Sequence, residues 1–196
     1  MTGFTRLLCC AFLGLSIGFP VWADEFDERL FLEAEGEVAL IEGTIGPDSL
    51  WRVQTFLDEH PEVQILVLID MPGSIDDETN LLLARLVRDS GLDTFVPSEG
   101  QIASGAVDLF LAGNRRFAEC GAGLGVHSWA DGEGVEGGDL PRDHRDHSLY
   151  LDYYAEMGID PQFYWFTLKA AAADSIYFMK PNEIERFALV TDPMGC

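Results

Sequence analysis

The spacing of apolar positions changes several times along the chain, and each change predicts an element. "EVALIEGTI" (37–45) reads as a strand. In "PDSLWRVQTFLDEH" (47–60), Leu50, Val53, Phe56 and Leu57 fall on one face of a helix. "VQILVLIDM" (63–71) is a continuous apolar run rich in β-branched residues, the mark of a strand covered on both faces. "DDETNLLLARLVRDSG" (76–91) carries acids in its first turn, where a helix N-terminus favours negative charge, and Gly91 as a natural stop. "LDTFVP" (92–97) is a short strand, 104–112 a helix ended by Gly113, and "GAGLGVHSW" (121–129) a further strand candidate. The order β-α-β-α-β-α predicts an α/β domain, a parallel sheet wrapped by helices, with functional groups in the loops at the carboxyl ends of strands.

Two of those loops carry candidate chemistry. In "SEGQIASGAVDLFLAG" (98–113), Ser104 stands at the first turn of an apolar helix. Unpaired N–H groups and a partial positive charge gather there, so the hydroxyl is either a helix cap or a nucleophile beside an anion site. In "IDMPGSIDD" (69–77), the Pro72-Gly73-Ser74 turn can leave backbone N–H groups pointing outward. If the two loops adjoin, the amides of Ser74 and Gly105 face a common point beside Ser104 and form an oxyanion hole. A serine hydroxyl needs a base within hydrogen-bond reach. Of four histidines, His60 ends a helix and His144 and His147 sit in the polar run "PRDHRDHS". His127 closes an apolar, glycine-rich strand and is either the base or a satisfied strand-end histidine.

The N-terminus, with Arg6, the apolar run Leu7–Phe19 and the small-residue site Val21-Trp22-Ala23, reads as a secretory signal peptide (1–23) cut after Ala23. Cys9 and Cys10 then leave with it. The run is too short for a membrane span and no later segment approaches the roughly 20 apolar residues a span needs. A single domain over 24–196, periplasmic or secreted, is the expectation. The formal charge of -22 becomes one unit more negative when Arg6 is removed. That acidity argues against nucleic-acid partners and anionic membrane surfaces, while basic peptides or proteins are attracted. Cys120 and Cys196 remain in the exported chain, as a disulfide or as two free thiols.

"GQIASGAVDLFLAG" resembles the nucleophile segment of the ClpP protease family, in which a G-x-x-A-S-x-G/A pattern opens a helix ending in Ala-Gly. "IDMPGS" resembles that family's strand and Ser-Pro-Gly-Gly turn, with Ser74 in place of the second glycine, and "GVHSW" resembles its Ile-His segment. The motifs come in the family's order over about 36–192, and the chain is most similar to ClpP-like proteins expected in the bacterial periplasm. The resemblance implies a crotonase-like fold of stacked ββα turns and a serine hydrolase. Ser104 is then the nucleophile, His127 the general base, and Ser74 and Gly105 the oxyanion donors. The third triad member should precede "KPNEIERFALVTD" (180–192). A gapless match lands on Ser175, whereas one extra residue brings Asp174 into place, and Asp174 is taken as the third member.

Residues 131–147 form a glycine- and acid-rich loop, expected to be flexible and solvated, and 148–180 a helical region comparable to the handle through which ClpP relatives pair subunits. Its dense aromatics suit plain core, a homo-oligomer interface or a peptide groove. No accepted metal-ligand spacing is met, and no cofactor is expected. Lys169 or Lys180 as the base of a Ser-Lys dyad is a weaker fit than His127, and coenzyme A chemistry lacks cationic phosphate contacts. The glycines at 121, 123 and 125 lack the strand-to-helix setting of a phosphate loop. The leading expectation is an exported serine peptidase acting on peptides or unfolded chains without an ATPase partner. The alternative is a catalytically silent binding or assembly module on the same fold, with Ser104 as a cap.

Overall fold

The computed structural model describes residues 29–194 and 196. The expected signal peptide, with Cys9 and Cys10, lies outside the described residues. The chain opens with a hairpin of β1 (Phe31–Glu35) and β2 (Val38–Glu42). The helix α1 (Ser49–Glu59) follows, with Val53 buried and Leu50, Phe56 and Leu57 packed against the core.

The apolar run 63–71 is not one strand. It divides into β3 (Ile65–Leu68) and β4 (Asp70–Met71), which belong to different sheets. Ile69 makes the transfer. Its N–H donates to Ile41 in the first sheet and its carbonyl accepts from Gln101 in the second. After α2 (Asp77–Asp89) the pattern repeats with β5 (Asp93–Val96), β6 (Gln101–Ala103) and α3 (Gly105–Leu111), then with β7 (Arg116–Ala118) and β8 (Gly123–Val126). Each turn is a strand in one sheet, a strand in the other, and in the first two a helix that covers them. The stacked ββα architecture expected from the resemblance is therefore present.

The larger sheet runs β1-β2-β3-β5-β7, parallel except for the β1 edge. The smaller runs β4-β6-β8-β9, with β9 (Tyr177–Phe178) antiparallel to β8. Leu66, Leu68 and Val96 from the sheets meet Leu83, Val87, Leu109 and Phe110 from the helices in one continuous core.

Two helices, α4 (Ser148–Met157) and α5 (Pro161–Ala170), separated by the left-handed Gly158, occupy the expected handle region. Tyr153, Tyr154, Phe163 and Tyr164 are buried within this single chain, so core packing accounts for them. The acidic loop before them is tied down at several points. Asp131 accepts from the N–H groups of Glu133 and Val135, and the Glu136 carboxylate accepts from Ala173 N–H. His147, set in a polar run, is only 1% exposed. Its Nδ1 lies 2.7 Å from the Tyr164 hydroxyl and its Nε2 3.1 Å from the Pro141 carbonyl. A carbonyl only accepts, so a neutral ring carries its proton on Nε2 and accepts from Tyr164 at Nδ1.

After α6 (Pro181–Arg186), the tail is fastened to β7 by the Arg116 guanidinium, whose Nε donates to the Leu189 carbonyl at 2.7 Å. Cys120 and Cys196 form a disulfide that closes this tail against the segment before β8. No helix among the described residues is long and apolar enough to cross a membrane.

Candidate active site

Three neighbouring parallel strands, β4, β6 and β8, deliver the candidate residues from their carboxyl ends. Gly73 and Ser74 follow β4, Ser104 follows β6, and His127 follows β8. Ser104 N–H continues the β6–β8 ladder by donating to the Gly125 carbonyl at 2.9 Å, and the chain then reverses into α3. The reversal forces Ser104 to φ 54° and ψ -131°, a region that residues with a Cβ seldom occupy. A sharp strand-to-helix turn of this kind pushes a side chain out at the top of a sheet. The Ser104 hydroxyl makes no capping hydrogen bond to α3. Of the two roles open in the sequence, the cap is therefore not realised.

The turn after β4 packs directly on this elbow. Gly73, at φ 134°, has its Cα so close to Ser104 that an added Cβ would fall 2.8 Å from Ser104 Cβ. A Cβ on Gly105 would likewise fall 2.8 Å from Ser74 Cβ and 2.7 Å from Asn80 Nδ2. Only glycine fits at either place. The Asn80 amide holds the start of α3 by donating to the Gly105 carbonyl at 2.9 Å.

The direction of the Ser74 amide follows from its neighbours. Ile45 N–H donates to the Gly73 carbonyl and Ile75 N–H donates back to Ile45. In a trans peptide the carbonyl and the next N–H point oppositely, so Ser74 N–H points away from Ile45, toward the β6 side. Gly105 N–H, at the first position of α3, has no partner inside its helix. Neither amide donates to another group among the described residues. Two free donors thus adjoin the Ser104 hydroxyl.

Ser104 and His127 line one cavity of about 280 Å³ together with Ser74 and Gly105. His127 Nδ1 is buried without a hydrogen-bond partner, so Nε2 is the ring nitrogen open to the cavity. No hydrogen bond joins it to Ser104 among the described residues. Asp174 does not reach the imidazole. Its carboxylate is exposed and accepts from the Ser175 hydroxyl at 3.0 Å, which corrects its assignment as third triad member. The physical reason is a turn. The β8–β9 ladder ends at Val126 with Tyr177, and Asp174 lies before it in the turn that Ser175 N–H closes on the Ala172 carbonyl. Lys169 and Lys180 are exposed and do not line the cavity.

The sequence reading missed the carboxylates that do line it. Asp108, one turn into α3 from Ser104, is 6% exposed and accepts the Tyr154 hydroxyl at 2.7 Å. Burial pushes its carboxyl up to about 7, the Tyr154 hydrogen bond acts in the opposite direction, and the charge of Asp77 adds to the rise. Asp77 accepts from the Ser74 hydroxyl at 2.8 Å and from the Tyr150 hydroxyl at 2.6 Å. The i,i+4 spacing of Ser104 and Asp108 was the one available signal, since it places both on the same face of a helix. No group of three or more residues positioned to hold a metal occurs among the described residues.

No family model matches the sequence, and no curated protein sequence matches it. Solved structures do resemble it. A membrane-bound stomatin-specific protease, solved as a mutant with a substrate peptide, superposes with a TM-score of 0.51 at 12% identity, covering 81% of this chain and 75% of that one. An enoyl-CoA hydratase from Shewanella pealeana superposes with a TM-score of 0.55 at 11% identity, covering 86% and 69%. A putative enoyl-CoA hydratase from Streptomyces coelicolor gives 0.50 at 14% identity, covering 91% and 71%. At these identities the likeness is one of fold, and the fold is that shared by ClpP-like and crotonase-type proteins.

Proposed function

We propose that the protein is an exported ClpP-like serine hydrolase that cleaves peptide bonds through a Ser104–His127 dyad and an acyl-enzyme. The observation that carries this reading is Ser104 at positive φ, uncapped, in a cavity with His127 and beside the free amides of Ser74 and Gly105. His127 Nε2 takes the Ser104 proton as Oγ bonds to the carbonyl carbon, and the two amides hold the resulting oxyanion. Collapse breaks the C–N bond, and His127 returns the proton to the departing amine. Water, activated by the same imidazole, then releases the acid. Without a carboxylate on Nδ1 the ring is not oriented, and turnover is slow. Peptides and unfolded chains are the expected substrates, with no ATPase partner.

A silent binding module on the same fold is the competing reading, and the unpartnered Nδ1 of His127 is the observation that favours it. Stopped-flow hydrolysis of a p-nitrophenyl ester separates the two. A burst of nitrophenol equal to the enzyme concentration, absent in Ser104→Ala and reduced in His127→Ala, supports the hydrolase. Absence of any burst or turnover above buffer in the intact protein rejects it.

A further inference from the structure

Among the described residues, the cavity beside Ser104 is lined by two carboxylates and no lysine or arginine. Asp108 keeps one oxygen on Tyr154, while its second oxygen takes no hydrogen bond among the described residues and is not sealed from the cavity. Asp77 sits close enough for its charge to act on Asp108. The walls are aromatic. Tyr150 and Tyr154 donate their hydroxyls to the two acids, and Trp129 donates its Nε1–H to Tyr164 at 2.9 Å. These four aromatic residues line the cavity, and aromatic walls are compatible with a bound cation. The buried Asp108 and the more exposed Asp77 have no cationic side chain beside them in the cavity lining, and a bound cation would relieve both.

Resting on the hydrolase reading of the same site, we infer that this cavity selects substrates with a lysine- or arginine-type cation on the residue whose carbonyl Ser104 attacks. The reach is suitable. Asp108 lies four residues beyond Ser104, the N-cap of α3, about 6 Å at 1.5 Å of rise per residue, a span suited to the flexible four-carbon stem of lysine. The formal charge of -22 on the whole chain draws basic substrates toward the site.

The test uses the full chain carrying Ser104→Ala, at pH 8.5, with acetyl-dipeptide amides ending in lysine, arginine, norleucine or glutamate, and isothermal titration calorimetry as the readout. The lysine and arginine probes bind about tenfold or more tightly than norleucine, equivalent to about 1.4 kcal/mol. Adding Asp108→Asn or, as a second variant at an exposed position, Asp77→Asn erases most of that preference, read as the ratio of lysine to norleucine binding within each variant, while the circular dichroism spectrum stays unchanged. Equal binding of all four probes, or a preference that survives both substitutions, overturns the inference. The two proposals fail separately. Cation preference without an ester burst in the unmutated protein removes hydrolysis and leaves a cation-binding cavity, whereas a burst without preference removes only the selectivity.

Discussion

The β8–β9 ladder ends at the pair of Val126 with Tyr177, so the next residue along one strand is His127 and along the other Ile176, an apolar residue where a serine hydrolase would place its orienting carboxylate. Ile176 is 43% exposed, so an acid is tolerated there. Ile176→Asp is therefore expected to raise kcat for ester hydrolysis roughly tenfold or more by fixing the imidazole. An unchanged kcat in a folded variant would show that His127 is not the working base.

The strain at Ser104 gives a second expectation. A non-glycine residue at such φ and ψ costs on the order of 1–3 kcal/mol. Ser104→Gly relieves it and is expected to raise the unfolding free energy by roughly 1 kcal/mol, part of the gain being offset by glycine's greater chain entropy. The same substitution removes the nucleophile. Denaturant titration alongside the ester burst checks both, and a destabilised Ser104→Gly protein would mean that the hydroxyl supports the fold.

Asp108 makes stability depend on pH. Its folded-state carboxyl stands near 7, above its ordinary value of 3.8, so the folded protein holds this proton more tightly than the unfolded chain. The contribution is full below about 3.8 and is lost as pH rises through about 7. Asn at this position keeps an acceptor for Tyr154 without the charge. Asp108→Asn should be clearly more stable than the parent at pH 8.5, by up to a few kcal/mol, and close to it at pH 4. Denaturant midpoints at the two pH values measure this, and a gap of equal size at both would contradict it.

The disulfide closes a loop between residues separated by 76 positions. In the chain-entropy account, a loop of that size is worth about 4 kcal/mol. Reduction, or Cys196→Ser, should lower the unfolding midpoint accordingly. Equal midpoints for oxidised and reduced protein would show that Arg116 and its tail contacts hold the C-terminus unaided.

Local signals in the sequence were strong wherever one element decides the structure. Asp76 caps α2 by accepting from Thr79 N–H, Asp77 and Glu78 fill its first turn, and Gly91 stops it with φ 71°. That Ser74, Ser104, Gly105 and His127 would meet at one cavity followed from motif order, because strand-end loops on adjacent parallel strands must adjoin. What failed to show was long-range. A continuous apolar run cannot reveal that Ile69 passes between two sheets, since Leu68 before it and Met71 after it are both fully buried. The strand 31–35 was overlooked, although Leu30, Leu32 and Ala34 alternate inward, and it pairs with β2 only through the turn at Gly36. The environment of Asp108 depends on Tyr154, which lies 46 residues away and which no local pattern links to it. Asp174 was placed by counting back from the motif that follows it, which does not reveal that 172–175 form a turn closed by Ser175 N–H on the Ala172 carbonyl.

The most direct measurement of the central claim is intact-mass and peptide-level mass spectrometry after exposure of the native protein to a fluorophosphonate. One adduct per chain, mapped to Ser104 and lost in Ser104→Ala and on prior unfolding, is the predicted result. An unmodified Ser104 in folded, disulfide-bonded protein, or adducts spread over surface serines at equal rates, would contradict an activated nucleophile at this elbow.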